Sequence, residues 1–461
     1  LHVHISVNRE KTLKEEMRMK RFVYPAASAA LLLSSMMAVN VSAQGVHSRP
    51  AARFTFQLCT SGPYGVPTLK DVQQGARNGA ALAITRWRSK LNSVGVHIGP
   101  LINLDDAKSD GSTYDPNIEA ANALQCVRNK NVIGYVGALN SGATVRSEPI
   151  TNKAHLVQVT MSATNIGLTS VKPFGGFGGR AAQEPATYSH KIKWVTFYRT
   201  ITTDGIQGPA AAVYVKNDLH AKSVYVIDDS LPYGVGLAST FTAQARRFGI
   251  TISGHSEVPG SPDATKQKEV ADAAAKVNAD IVYCGCDTET TIVLARDLRL
   301  DGYTKPFMGG DIVASSAYLT AIEQGANKAV VSNFYATNPG PPPSATAAGY
   351  RSLYKKYFPS FYKNPGPGPY DAEAYDAAGV ILEGVYKAAK AGQLHPGATM
   401  ANRTAVVHQV RYLHYCGAVG CMKFDANGDT NVFVVSVYKT VSGAWTYTAT
   451  VRAPAGNKPA P

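Results

Sequence analysis

The sequence predicts an α/β protein of two lobes, each a parallel sheet covered by helices. Three observations lead there. Short apolar runs alternate with stretches of helical periodicity, as repeated strand–helix units do. The alternation stops in a Gly-rich stretch, Phe174–Pro185, and resumes near Gln207, which splits it into two runs. After a Pro-rich stretch, Asn338–Ser344, helical segments return, and the chain reads as coming back to its first lobe.

In the first run, Arg53–Cys59 is a strand ending at the turn residues Ser61, Gly62 and Pro63. Leu69, Val72, Ala76, Ala80, Ile84, Trp87 and Leu91 then recur at helical spacing and form one apolar face. Val96–Leu104 reads as a second strand, Asn117–Arg128 as a helix, and Val132–Gly137 and His155–Met161 as further strands. The GFGGRA within the Gly-rich stretch fits a dinucleotide-loop spacing, but no strand precedes it, so 174–198 is read as a surface insertion.

In the second run, Ser223–Asp228 is a strand, and Leu237, Phe241, Ala245 and Phe248 mark a helix stopped by Gly249. Thr251–Val258, Asp280–Gly285, Pro306–Gly309 and Ala329–Tyr335 read as strands, with helices over Val270–Val277 and Ile292–Leu300. Helices are expected around Ala345–Phe358 and Tyr370–Ala391, and a hairpin over Met422–Trp445 turning at Asn427-Gly428. The DANGD segment lacks the glutamate a calcium loop needs at its twelfth position, so it is read as a turn.

Composition bounds the function. Residues 19–43 carry a basic start at Lys20 and Arg21, an apolar run and small residues at Val41-Ser42-Ala43, the pattern of a secretory signal cleaved after Ala43. Residues 1–18 are read as an upstream extension and Met19 as the start. The formal net charge is +14, but Lys and Arg are scattered, which argues against a nucleic-acid partner. All six cysteines follow Ala43, an even number suited to an oxidising compartment. Cys416 and Cys421 bracket GAVG and are a disulfide candidate, whereas the pairing of Cys59, Cys126, Cys284 and Cys286 stays open. No zinc spacing is present, and neither a metal nor a cofactor is expected.

Ligands of open α/β sheets bind beyond the carboxyl ends of the strands. Asn140-Ser141-Gly142-Ala143-Thr144 and Ser162-Ala163-Thr164 follow two such ends in the first lobe. Hydroxyls and free first-turn N–H groups there suit a carboxylate. Read from the residues alone, Ser141, Ser162 and Thr164 are more simply helix caps. In the second lobe Tyr233, Asp287 and Asp311 follow strand ends, and Asp311 too has a plain reading as a cap. An anion-seeking first lobe opposite an acidic second lobe fits a zwitterion such as an α-amino acid.

At these residues the chain resembles the type I periplasmic binding proteins of ABC transporters, and among them the leucine/isoleucine/valine-binding group. The landmarks stand in order over nearly all of the chain after residue 43: TSGPYG, NLDDAKSD, VIGYVGALNSGATVRSEPI, VTMSATNIGLT, YRTITTDGIQGPAAAVY, SLPYGVGLA, ADIVYCG, KPFMGGD, YDAEAYDAA and KFDANGD. The resemblance implies two Rossmann-like lobes with parallel sheets joined by three hinge crossovers, near Arg199–Gln207, Val330–Thr337 and Lys423–Val432. Lobe one would hold 50–205 and 336–425, lobe two 206–335 and 426–452, with a tail at 453–461. It implies that Ser141, Ser162 and Thr164 hold a ligand carboxylate and Asp311 an ammonium, while Tyr233, Tyr370 and Tyr64 cover the side chain. The family's best-known members carry Glu where this chain has Asp311, and Tyr where it has Asp287.

The function so implied is a periplasmic, monomeric substrate-binding protein. It would capture a branched-chain amino acid or close analogue and deliver it to ABC permease subunits in the membrane. An amide, urea or an aromatic acid is the alternative ligand, and a sensor module the alternative role. An enzyme is not expected: no GxSxG elbow, Walker loop or HExxH is present, and Asp228 and Asp229, adjacent on a strand, point to opposite faces.

Overall fold

The computed structural model describes residues 54–170, 195–260, 263–324, 331–362 and 370–454. The expected extension, signal segment and most of the 174–198 insertion lie outside them. Two sheets organise the described chain. The first contains β1 (Phe54–Gly62), β2 (Val96–Ile98), β3 (Ile102–Asp105), β4 (Val132–Val136), β5 (Val157–Thr160) and β6 (Phe197–Arg199). Its order is β2-β1-β4-β5-β6, with β3 also on β1, and every pairing is parallel. The expected strand 96–104 is therefore two strands, broken at Gly99-Pro100, where proline cannot donate to a ladder.

The second sheet contains β7 (Ser223–Asp228), β8 (Thr251–Glu257), β9 (Ile281–Gly285), β10 (Phe307–Gly309), β11 (Phe334–Asn338), β14 (Val435–Val441) and β15 (Ala444–Val451). Its order is β15-β14-β11-β10-β9-β7-β8, parallel from β11 to β8 and antiparallel through the β14–β15 hairpin. The central strands β4 and β9, VIGYV and IVYCG, are buried throughout, as strands covered on both faces must be. Edge strand β8 is exposed at every second residue.

The hairpin differs from expectation. It turns at Ser442-Gly443, both at positive φ, whereas Asn427-Gly428 closes a short loop in which Asp425 Oδ1 accepts from the N–H groups of Asn427 and Asp429. A further two-stranded ribbon, β12 (His414–Cys416) and β13 (Cys421–Lys423), is closed by the Cys416–Cys421 disulfide. Cys59 pairs with Cys126, and Cys284 with Cys286.

Helices follow the strands: α1 (Lys70–Asn92), α2 (Pro116–Arg128), α3 (Ser141–Lys153), α4 (Asp204–Asn217), α5 (Pro232–Arg247), α6 (Ala264–Val277), α7 (Thr288–Leu300) and α8 (Ser316–Glu323). Then come α9 (Ala348–Tyr357), α10 (Pro359–Tyr362), α11 (Asp371–Lys390) and α12 (Thr399–Arg411). α11 packs along α1 and against β4 and β5, so the late helices complete the layer over the first sheet. Several starts are written locally. Asp115 caps α2 ahead of Pro116, Asp263 caps α6, and Ser315 caps α8. Among the described residues no helix is long and apolar enough to cross a membrane.

A buried ion pair ties two of the chain passages between the sheets. Arg199, at the end of β6, donates from Nε to Asp429 Oδ1 at 2.6 Å, and both are buried. Its Nη1 donates to the carbonyls of Ala163 and Asn165 at 2.9 Å, and its Nη2 to Thr169. Asp429 Oδ2 accepts from Thr169 at 3.0 Å. One guanidinium, rigid and donor-rich, thus holds the 163–169 loop, β6 and the 425–429 loop together.

Candidate functional site

The strand ends of the two sheets face one another, and the lobes touch. Thr68 donates to Glu289 at 2.6 Å, Asn165 Nδ2 to the carbonyl of Pro232 at 2.5 Å, and Ser316 to Asp71 at 3.0 Å. From the first lobe, β4 ends at Val136 and the chain reaches α3 at Ser141. The first-turn N–H groups of α3 have no intrahelical acceptors. Tyr114 lies over them: a Cβ on Gly142 would stand 2.1 Å from its hydroxyl. Ser141 is not a cap. It is the first helical residue, and its Oγ accepts from the N–H of Asn165 at 3.2 Å.

The next loop follows β5. Thr160 Oγ1 accepts from the N–H groups of Ser162 and Ala163, and Ser162 Oγ donates to the carbonyl of Leu139 at 2.8 Å. The Thr164 hydroxyl is fully buried and completes no hydrogen bond, although Asp204, opening α4, lies close enough for Thr164 to draw its pKa down. Burial dominates there and pushes Asp204 up to about 8.

From the second lobe, Asp311 follows β10 and is 1 % exposed. It does not cap the next helix, a role Ser315 takes. Its Oδ1 accepts from Gln207 Nε2 at 2.9 Å and Tyr233 at 2.8 Å, and its Oδ2 accepts from Tyr370. Those donors come from α4, α5 and the residue before α11. Gly310 is required, because a Cβ would fall 1.9 Å from the Tyr233 hydroxyl. Tyr370 sits at φ 80°, a left-handed backbone that is costly for a bulky residue and common at functional sites. Burial raises the pKa of Asp311, and its three donors oppose the rise.

Asp287 follows β9 and stands at the start of α7. Its N–H donates to Asp229 Oδ2 at 2.6 Å, and Asp229 Oδ1 accepts from the N–H of Leu231. Asp229 is thus a brace between two strand ends, while Asp228 turns away to His255 at 2.7 Å. Burial, then Asp229 and Glu289, raise the pKa of Asp287 well above the ordinary 3.8.

Six of the eight candidate residues therefore stand just beyond the facing strand ends, Ser141, Ser162, Thr164, Tyr233, Asp287 and Asp311, and Tyr370, ahead of α11, joins them through its bond to Asp311. Tyr64 keeps its contacts within the first lobe, with Thr60 at 3.2 Å and under the Arg77 guanidinium, 3.1 Å from the ring centroid. Sequence reasoning missed Gln207, Tyr114 and Asp204, and named Asn140 only as a strand-end neighbour of Ser141. Asp204 and Gln207 carry a signal in hindsight, since spacing i, i+3 at a helix start puts both on one face. Buried polar atoms without partners are rare in proteins. Asn140 Oδ1, Thr164 Oγ1, Gln207 Oε1 and both oxygens of Asp204 and Asp287 form no hydrogen bond here.

A family model described as periplasmic binding protein matches residues 58–444. The chain belongs to the periplasmic binding protein family. The leucine-, isoleucine-, valine-, threonine- and alanine-binding protein of Pseudomonas aeruginosa is 24% identical over 403 residues, covering 86% of this chain and 92% of that relative. The Leu/Ile/Val-binding protein BraC3 of Rhizobium johnstonii is 23% identical, covering 80% of this chain and 87% of its own. Among solved structures, the leucine binding protein LivK of Thermotoga maritima superposes with a TM-score of 0.66 at 20% identity, covering 86% of this chain and 98% of that one. LivJ of Streptococcus pneumoniae, in complex with isoleucine, does so at 0.66 and 19%, covering 87% and 100%. The structural likeness shows a type I periplasmic binding protein fold, and the family places such proteins in the periplasm.

Proposed function

We propose that this periplasmic binding protein is the substrate-binding component of an ABC importer and captures an α-amino acid between its lobes. The observation that carries the reading is the position of Asp311. It is a buried acid with three donors from three segments, across from a loop and helix start rich in hydroxyls and N–H groups. A carboxylate offers about four acceptor positions, so Asp311 keeps one for a ligand ammonium. The ligand carboxylate lies at the α3 start beside Ser141, with Ser162 and Thr164 below it, and Tyr233 and Tyr370 cover the rest. The relatives' amino-acid ligands support this class. Ligand holds the lobes together by hinge closure, and a membrane permease distinguishes the closed form.

A thermal-shift panel tests the reading. The protein is unfolded and refolded to strip carried-over ligand, then screened against amino acids, simple amides, urea and aromatic acids. A ligand that favours the native state raises the midpoint by mass action. The reading expects a shift with one class of amino acid. A shift with amine-free ligands alone refutes it.

A further inference from the structure

We infer, on the reading that the ligand is an α-amino acid, that its side chain ends in a cationic nitrogen group, an amine or guanidinium, paired with Asp287. Three features of the site lead to this. The first is what Asp287 does not do. An aspartate at a helix start ordinarily accepts from the N–H groups of the first turn. Asp287 occupies that position in α7 and makes no such bond. Only 5 % exposed, it has no hydrogen bond to either oxygen.

The second is what faces it. Asn140, which precedes α3 in the opposite lobe, is also 5 % exposed, and its side chain comes close enough to Asp287 to favour the charged form. Its Oδ1 has no donor either. From the opposite lobe Asn140 acts on Asp287 as a donor, with its amide N–H side, and both carboxylate oxygens still complete no hydrogen bond. A group made only of donors fills those open positions, and an ammonium or guanidinium is such a group. An aliphatic end would leave Asp287 buried and unpaired, at a cost.

The third is the field. The charges that act most strongly on Asp287 are Asp229, Glu289 and Asp311, all acidic. Each of those is already engaged: Asp229 with two backbone N–H groups, Glu289 with Thr68, and Asp311 with three donors. Of these four acids, only Asp287 completes no side-chain hydrogen bond. The α-ammonium then goes to Asp311 and the distal cation to Asp287.

Titration calorimetry on ligand-stripped full chain, with lysine, ornithine, arginine, glutamine, leucine, isoleucine and valine, tests the assignment. At least one of the three cationic amino acids is expected to bind about tenfold or more tightly than leucine, the scale of one charged hydrogen bond. Asp287→Asn, nearly isosteric, should erase that preference, weakening the favoured cationic acid by about tenfold or more relative to leucine. Leucine or glutamine binding wild type more tightly than all three cationic acids overturns the inference and leaves the amino-acid reading standing. An Asp287→Asn variant that weakens every ligand equally also overturns it, since that marks a structural role. Binding of no amino acid overturns the functional reading, and this inference with it. The wild-type ranking alone decides the matter should the variant fail to fold.

Discussion

Replacing Arg199 with methionine should weaken the protein more than any other single exchange at the hinge. Methionine fills much of the same volume but offers no donor. The change removes the 2.6 Å ion pair with Asp429, the two 2.9 Å bonds to the carbonyls of Ala163 and Asn165, and the bond to Thr169. Arg199 is fully buried and Asp429 nearly so, so water does not replace the lost partner. Removing one member of such a pair strands the other charge, which costs about 3–5 kcal/mol. Replacing both, as Arg199→Met with Asp429→Leu, removes the stranded charge and should recover part of the loss, with a positive coupling between the two sites. Urea denaturation followed by circular dichroism, on ligand-stripped protein, reads all three variants. A loss below about 1 kcal/mol for Arg199→Met, or strict additivity in the double variant, would refute the reasoning.

Two other outcomes follow from buried acids and disulfides. Asp204 is raised from 3.8 to about 8 by burial, so between those values the folded state holds a proton that the unfolded state has lost. Stability therefore falls as pH rises from 3.8 to about 8, and Asp204→Asn should flatten that slope in urea titrations at a series of pH values; an unaltered slope counts against it. Removing the Cys59–Cys126 bridge, which spans 67 residues, should cost about 4 kcal/mol, against about 2 kcal/mol for Cys416–Cys421, which spans 5. Paired alanine variants compared by urea midpoint check the order, and alkylation with mass spectrometry checks that Cys416 and Cys421 are oxidised.

The fold was legible because its central strands are short, wholly apolar runs such as VIGYV and IVYCG, separated by helices of clear periodicity. The hairpin was misplaced for a physical reason. Asn427-Gly428 is the stronger local turn signal, but its loop is needed to present Asp429 to Arg199, and no local pattern reveals a partner 230 residues away. The sheet's outer hairpin uses the plainer Ser442-Gly443 instead. At the site, acids and hydroxyls directly after strands could be picked out from position alone. That Asp311 is bound by Gln207, and that Asn140 faces Asp287, depends on how the two lobes meet, which periodicity within one segment does not encode. The Cys284–Cys286 pairing was likewise open until backbone geometry brought the two sulfurs together.

The central claim is that Asp311 receives the ligand's ammonium. Titration calorimetry with the amino acid giving the largest thermal shift, beside its deamino analogue, tests it on wild type and Asp311→Ala. The account predicts that the analogue binds wild type poorly and that the variant, checked to be folded by circular dichroism at the titration temperature, loses about 2–5 kcal/mol of binding free energy. Equal affinity of wild type and variant, or an analogue that binds wild type as tightly as the amino acid, would contradict it.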